Sequence, residues 1–152
     1  MSDRFAAVDE VEVVHRGWEL TVQIEGPSRQ AEDVLQLIAE ANIKVLAHCC
    51  YSHCSGARLL VVPEDVEAAC IVVRAAGYES ELNPIVWVTT PYRVGMTTLL
   101  GVQLQTGGVD ILYRYVAWKD GQRAVYVLKT THDDLAFQIL RLALEGRAFL
   151  RR

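Results

Sequence analysis

The sequence lacks the apolar segments that would place it in or across a membrane. No stretch approaches the ~18 consecutive apolar residues of a membrane-spanning helix. The first residues, Met1 to Phe5, carry mixed charge and do not begin the apolar core of a secretory signal. We therefore expect no membrane partner and a cytoplasmic location.

Basic runs are also lacking. The net charge is −4 and the sequence pI is about 5.5, so no concentrated Lys/Arg surface is available to bind phosphates. This argues against nucleic acid as a partner. With 51% hydrophobic residues, the 152-residue chain can bury a core without disulfides or metal. Its four cysteines fit a reducing compartment as free thiols: Cys49, Cys50, Cys54 and Cys70.

Motifs for catalysis are absent as well. The sequence has no phosphate-binding loop and no dinucleotide-binding fingerprint. A nucleophilic pair of Cys54 with His48 or His53 has no third residue to orient it. We expect no enzyme and no cofactor. Adjacent carboxylates fall in predicted first helical turns, where the helix dipole accounts for them: Glu32-Asp33, Glu64-Asp65 and Asp133-Asp134.

What the sequence does contain is a tandem repeat. The first copy runs from about residue 20 to 78 and the second from about 85 to 142. Each copy reads as strand, helix, two-strand hairpin and helix. Val109-Asp110-Ile111 begins a strand 66 residues after Ile43-Lys44-Val45 does so. A repeated small α+β unit without a catalytic motif favours binding over chemistry.

In the first copy, Trp18 to Glu25 alternates apolar and polar residues, which is typical of a half-buried strand. Ser28 is placed to cap the following helix. A hairpin then spans about 43–62, and Pro63 suits the first turn of a second helix, which Gly77 closes. The first helix is predicted to turn five residues inward: Ala31, Val34, Leu35, Ile38 and Ala41.

In the second copy, the loop Pro91 to Gly95 leads into a helix over Met96 to Thr106, despite Gly101 within it. The Asp120-Gly121 pair predicts a tight hairpin between the next two strands.

The last helix is predicted to begin with a capping box formed by Thr131 and Asp134, with Asp in the place of Glu. Helical spacing predicts four inward positions on it: Leu135, Ile139, Leu142 and Ala143.

Element order and period together give βαββαβ twice. The predicted fold class is α+β, with two ferredoxin-like units in tandem, each an antiparallel sheet with its helices on one face. We predict the first unit at 12–80 and the second at 81–146. No flexible linker is expected between them, because Glu79 to Pro84 runs straight into the next strand.

The chain resembles a known family at this level of detail. The second half of an ACT domain is similar to residues 109–116, 120–121, 123–128 and 133–136. Matching segments of the first copy are 35–45, 58–62, 64–68 and 75–78. From about Gly17 to Ala143, the chain is similar to the tandem form of the family, two ACT units without an attached enzyme domain.

The resemblance implies a non-catalytic regulatory protein that binds an amino acid or similar small metabolite where two ACT units pair. In the family, the ligand lies against the loop between the first strand and first helix, near the start of the next strand. A glycine in that loop lets backbone N–H groups approach a carboxylate. The resemblance therefore implies a ligand site formed by Tyr92, Arg93, Val94, Gly95, Met96 and Asp110.

The first copy departs from this pattern. Arg29 stands where the second copy has Gly95, and its glycine lies earlier, at Gly26. Its candidate ligand residues are Gly26, Ser28, Arg29 and Asn42. Arg29 offers a guanidinium fork in place of backbone donors, while Asn42 is alternatively a left-handed helix cap.

The segment 48–54 concentrates potential metal ligands that the second copy lacks. Zinc accepts Cys and His, but the usual two separated ligand pairs are missing, so we predict no metal site. If one exists, its candidates are His48, Cys50, His53 and Cys54, and a dimer would supply the missing ligands. Thiol redox sensing and simple packing of Cys49 on the sheet are the other interpretations.

Exposed sheet edges favour a homodimer. The alternative function is a ligand-free structural or regulatory subunit that acts through protein–protein association. Its partner interface would be formed by Trp87, Tyr113, Tyr115 and Trp118.

Overall fold

The computed structural model describes residues 12–26, 29–119 and 121–150, except for the side chains of residues 29 and 145–150. These residues form six strands and four helices, so the predicted α+β class with βαββαβ repeated twice is confirmed. In chain order the elements are β1 Val13–Ile24, α1 Arg29–Glu40, β2 Val45–His53, β3 Gly56–Pro63, α2 Val66–Ala75, β4 Ser80–Pro91, α3 Met96–Thr106, β5 Ile111–Lys119, β6 Arg123–Thr130 and α4 Asp133–Leu150. None of the described helices combines the length and apolarity needed to cross a bilayer.

Spatial contacts divide the chain into two compact units. One is Trp18–Pro84, and the other combines Met1–Gly17 with Ile85–Arg152. Strands β1 and β4 are each 12 residues long and each runs through a boundary between the units, so each contributes residues to both. β4 continues unbroken from Ser80 to Pro91, so the prediction that the segment up to Pro84 runs straight into the next strand is confirmed from Ser80 onward.

The 18–84 unit orders its strands β2-β3-β1-β4. β3 pairs antiparallel with β1 (Leu20 with Val61) and with β2 (His48 with Val61). The predicted inward face of α1 is confirmed at Ala31, Val34 and Ile38, which are buried in one core cluster with Leu20 and Val61. Of the other two predicted positions, Leu35 packs against this cluster, and Ala41 lies beyond the helix end and is exposed.

The predicted start of the second helix is wrong. Pro63 is the last residue of β3 and pairs with Val45. The helix begins at Val66, and the carboxylate of Asp65 accepts a hydrogen bond from the Ala68 N–H at 3.0 Å. An Asp side chain satisfies one of the open N–H groups of a first turn, which a proline cannot do.

The 85–152 unit orders its strands β1-β4-β6-β5, with β4, β6 and β5 paired antiparallel. β5 carries a register shift between Ile111 and Tyr113, and β2 carries the same irregularity between Val45 and Ala47. The two register shifts lie 66 residues apart, so the repeat extends to this local irregularity of the strands. The core of this unit is formed by Val86, Val88, Met96, Leu100, Leu104, Val109, Ala124, Tyr126, Leu128, Ala136, Leu140 and Leu144.

Helix α4 differs from the prediction in the residue that caps its start and in the face that it buries. The carboxylate of Asp133, not that of Asp134, accepts hydrogen bonds from the Thr130 N–H (3.0 Å) and hydroxyl (2.8 Å). Within 133–144, the part of the helix whose side chains are described, the buried residues are Ala136, Leu140 and Leu144. The predicted stripe is wrong at two positions, because Leu135 and Leu142 are 42% and 74% exposed. Leucine lies on both faces of this helix, so apolar spacing alone selects the wrong one.

Candidate ligand-binding site

The loop between β4 and α3 ends in an open helix terminus. Gly95 is the N-cap residue of α3 and has a φ of 85°, a left-handed conformation that favours glycine. No side chain caps the first turn, although the Leu99 N–H donates to the Gly95 carbonyl at 2.9 Å. The start of α3 therefore offers N–H groups and the positive end of the helix dipole to an anion.

The predicted loop residues lie at this terminus, but their side chains point to different surroundings. The ring of Tyr92 stacks at a tilt on Trp118, 5.0 Å between centroids. Arg93 Nη1 lies 3.8 Å from Glu12 Oε1. Val94 is 93% exposed, whereas Met96 is buried in the core.

A groove of about 530 Å³ lies between α3 and β5, within the 85–152 unit. Of the predicted site residues that the structure describes, Asp110 alone lines this groove. It stands near one end of the β5 wall, and Arg114 stands at the other. Apolar residues and glycine occupy much of the wall between them. The lining is formed by Thr98, Gly101, Val102, Gln105, Val109, Asp110, Ile111, Leu112, Tyr113 and Arg114.

Arg114 crosses from β5 to α3. Its Nη1 donates to the Thr97 carbonyl at 3.4 Å, near the start of the helix. The same atom lies 3.0 Å from where a Cβ on Gly101 would stand. A glycine inside this helix thus leaves the space that the guanidinium occupies.

Asp110 is fixed through its backbone and leaves its carboxylate exposed. Its N–H donates to the Thr131 hydroxyl at 3.2 Å, and its carbonyl accepts from the Thr131 N–H at 3.0 Å. Asp110 and Arg114 lie four positions apart in the sequence, with the register shift of β5 between them. The groove therefore presents an anion and a cation at separate positions on its wall.

Arg114 and Gly101 line the groove but were not predicted from the sequence. Gly101 is an interior helix glycine, which costs stability and so suggests a packing or binding reason. No local pattern links it to a strand arginine 13 residues later.

The first-copy candidates that the structure describes lie at exposed backbone turns. Gly26 has a φ of 142° and is exposed, and Asn42 is exposed with a φ of 58°, as a left-handed cap requires. Ser28 and the side chain of Arg29 lie outside the described part of the chain. The residues 66 positions before Asp110, Arg114 and Gly101 are Lys44, His48 and Leu35, so both the anion and the helix glycine are lost.

The His–Cys segment occupies β2 and the turn after it. His48, Cys50, His53 and Cys54 are exposed, and Cys49 is half-buried. His53 Nδ1 accepts a hydrogen bond from the Ser55 N–H at 3.4 Å and lies 3.2 Å from the Ser55 hydroxyl. Among the described residues, no group of three or more His, Cys, Asp or Glu is placed to hold a metal ion.

The two neighbouring thiols are not activated. Burial raises the pKa of Cys49, with smaller contributions from Cys50 and Glu19. Burial also raises the pKa of Cys50, with a smaller contribution from Glu32. A catalytic or redox-sensing thiol needs the opposite shift, toward the thiolate.

No family model matches the sequence, and no curated protein does. Several solved structures do match the fold. Protein BT0572 from Bacteroides thetaiotaomicron is 20% identical with a TM-score of 0.74, over 84% of this chain and 88% of that one. The regulatory subunit of aspartate kinase from Thermus thermophilus is 13% identical with a TM-score of 0.61, over 87% and 95%.

E. coli aspartokinase III, solved in complex with lysine and aspartate, is 13% identical with a TM-score of 0.50. That match covers 88% of this chain and 32% of that one. These likenesses establish the fold. The chain has the tandem ACT-type fold of aspartate kinase regulatory domains, so the predicted resemblance is confirmed at that level.

Proposed function

We propose that this protein is a non-catalytic regulator that binds an amino acid in the groove between α3 and β5. The observation that carries the proposal is the guanidinium of Arg114, held across α3 in the space left by Gly101. The fold supports it, since regulatory subunits and domains of aspartate kinase share it. The raised pKa values of Cys49 and Cys50 fit a non-catalytic role for these two thiols.

Arg114 and the start of α3 suit a carboxylate. A guanidinium carries five N–H donors in a planar fork that matches a carboxylate with two hydrogen bonds. The Thr97 carbonyl accepts from Nη1, which leaves other donors for a ligand. The uncapped helix terminus adds partial positive charge on the same side of the groove.

Asp110 selects for a second cationic group. An α-ammonium lies on the carbon next to its carboxylate, whereas Asp110 and Arg114 stand four positions apart along the wall of the groove, so a ligand that meets both residues needs a second, more distant cationic group. A dibasic amino acid spans the groove, with its side-chain ammonium at Asp110 and its methylenes against Val102 and Ile111. The solved complex of aspartokinase III with lysine supports this ligand class.

We expect one such site in each chain. In the first copy, Lys44 would repel the side-chain ammonium and Leu35 packs where Gly101 leaves space. The predicted contacts at Gly26, Ser28, Arg29 and Asn42 stay a prediction for a different site.

A homodimer remains part of the proposal. β5 is a terminal strand of the sheet, and its Leu112 and Val116 are 60% and 44% exposed. A second ACT-type unit paired along such an edge would cover the groove and bring the ligand to an interface, as the resemblance implies.

One observation favours the alternative of a partner-binding subunit. Trp118 is 64% exposed and Tyr92, against which it stacks, is 53% exposed. Exposed aromatic pairs are typical of protein interfaces. By contrast, Trp87 is half-buried under His15, with ring centroids 5.1 Å apart.

A thermal melt of the whole chain against each standard amino acid tests the proposal. A ligand at a hundredfold its dissociation constant adds about 2.7 kcal/mol to the free energy of unfolding. We expect lysine and arginine to raise the melting temperature, Arg114→Gln to abolish the shift, and Asp110→Asn to remove the preference for dibasic ligands. The first-copy variant Lys44→Gln, at the position equivalent to Asp110, is the matched control and should keep the shift. If no amino acid raises the melting temperature of the unaltered protein, the result would favour the partner-binding subunit instead.

A further inference from the structure

The edge strand of the 18–84 unit presents two metal-ligating side chains on one face. His48 and Cys50 pair with Val61 and Leu59 of β3, both buried in the core beneath the helices. Cross-strand partners share a face, so both donors lie on the helix side of the sheet. Both are exposed, and β2 is a terminal strand.

The spacing of His48 and Cys50 suits one metal ion. Residues two apart on a strand have Cα atoms about 6–7 Å apart and side chains on the same face. Zinc needs about 2.3 Å to sulfur and about 2.0–2.1 Å to a ring nitrogen, which two converging side chains can provide. In the second copy the same positions are Arg114 and Val116, so the pair is specific to the first.

The chain alone supplies only half of a coordination shell. Among the described residues, no third His, Cys, Asp or Glu joins these donors. Cys49 lies on the opposite face of β2, and the ring nitrogen of His53 already faces Ser55. A structural zinc site takes four protein ligands.

We propose that His48 and Cys50 form half of a zinc site that a second copy of this chain completes across paired β2 edges. A two-fold axis at Cys49 places each His48 opposite a Cys50 of the other copy, on one face, with Cβ atoms about 4.5–5.5 Å apart. This register gives two imidazoles and two thiolates around one ion. Each thiol releases its proton to solvent, and the two thiolates balance the charge of Zn²⁺.

Zinc titration of the full chain, purified without a His tag and stripped of metal under reducing conditions, tests the proposal. We expect one zinc ion for two chains by elemental analysis and, by sedimentation, a zinc-dependent pairing that at least doubles the mass of the metal-free protein, in addition to any pairing along β5. Co²⁺ in place of zinc should give the visible absorption of a tetrahedral thiolate site. This experiment needs no amino acid, so its outcome is separate from that of the proposed function.

Variants within one hairpin locate the site. Cys50→Ser and His48→Ala should each lose zinc and the zinc-dependent dimer, while Cys54→Ser and His53→Ala should keep both. All four residues are exposed, and circular dichroism confirms folding. Absence of zinc binding, one zinc per monomer, or loss of zinc in the Cys54 or His53 variants would each overturn the proposal.

Discussion

The Nη1 atom of Arg114 lies 3.0 Å from the point where a Cβ on Gly101 would stand. The position of the Arg114 guanidinium on β5 therefore requires that residue 101 of α3 has no side chain. The contact explains why a helix interior tolerates glycine, which costs about 1 kcal/mol relative to alanine. In our account that cost is retained because it lets the guanidinium lie over the groove.

Gly101→Ala separates stability from binding. We expect the variant to be more stable by up to about 1 kcal/mol, because alanine favours the helix and the displaced atom ends a flexible side chain. Lysine binding should weaken about tenfold or more, about 1.4 kcal/mol, since Arg114 must move. Urea unfolding and calorimetric titration measure the two effects. Thr106→Ala on the same helix is the control, and it should leave binding unchanged.

Gly95→Ala tests the loop. A Cβ at Gly95 meets nothing within 4 Å, so the whole cost comes from the left-handed backbone, roughly 1–2 kcal/mol. Gly95→Asn should cost less, because asparagine tolerates this conformation. Urea midpoints compare the pair. Equal losses would show that the backbone at this N-cap is not held at positive φ.

Two leucines of α4 test which face of this helix is buried. Leu140 is fully buried, so Leu140→Ala should destabilise by roughly 2–5 kcal/mol. Leu142 is 74% exposed, and Leu142→Ala should stay within about 0.5 kcal/mol. Chemical denaturation gives both values. The reverse order of costs would support the stripe first predicted from the sequence.

His15 makes stability depend on pH. Burial, and to a smaller extent Lys119, lower the pKa of His15, whose ring stacks on Trp87. The unfolded chain then binds the proton more readily, so this contribution is present above the ordinary pKa of about 6.5 and is lost as pH falls below it. Urea unfolding at about pH 8 and about pH 5.5 should show a smaller difference for His15→Gln than for the unaltered protein. An identical difference would mean that His15 does not contribute.

Local patterns predicted the repeat and most elements, but not every boundary. Helix α3 matches its predicted range because Gly95 and the glycines after Thr106 bracket it. Pro63 misled the prediction, because a proline fits a strand end as well as a first helical turn, and only the Asp65 cap decides.

The groove was less predictable than the fold. Asp110 was identified through the resemblance, whereas Arg114 and Gly101 become neighbours only when β5 packs beside α3. Sequence spacing carries no signal for such a contact. The loop residues around Gly95 were expected to act together, but the left-handed turn sends Met96 into the core and leaves Val94 exposed.

The most direct test of the account is calorimetric titration of the full chain with lysine, compared with norleucine, which has the same chain length but lacks the side-chain ammonium. We expect saturable binding of lysine and at least about tenfold weaker binding of norleucine, about 1.4 kcal/mol, because only lysine reaches both Arg114 and Asp110. Equal affinity for the two ligands, or no binding of lysine, would contradict the proposed groove.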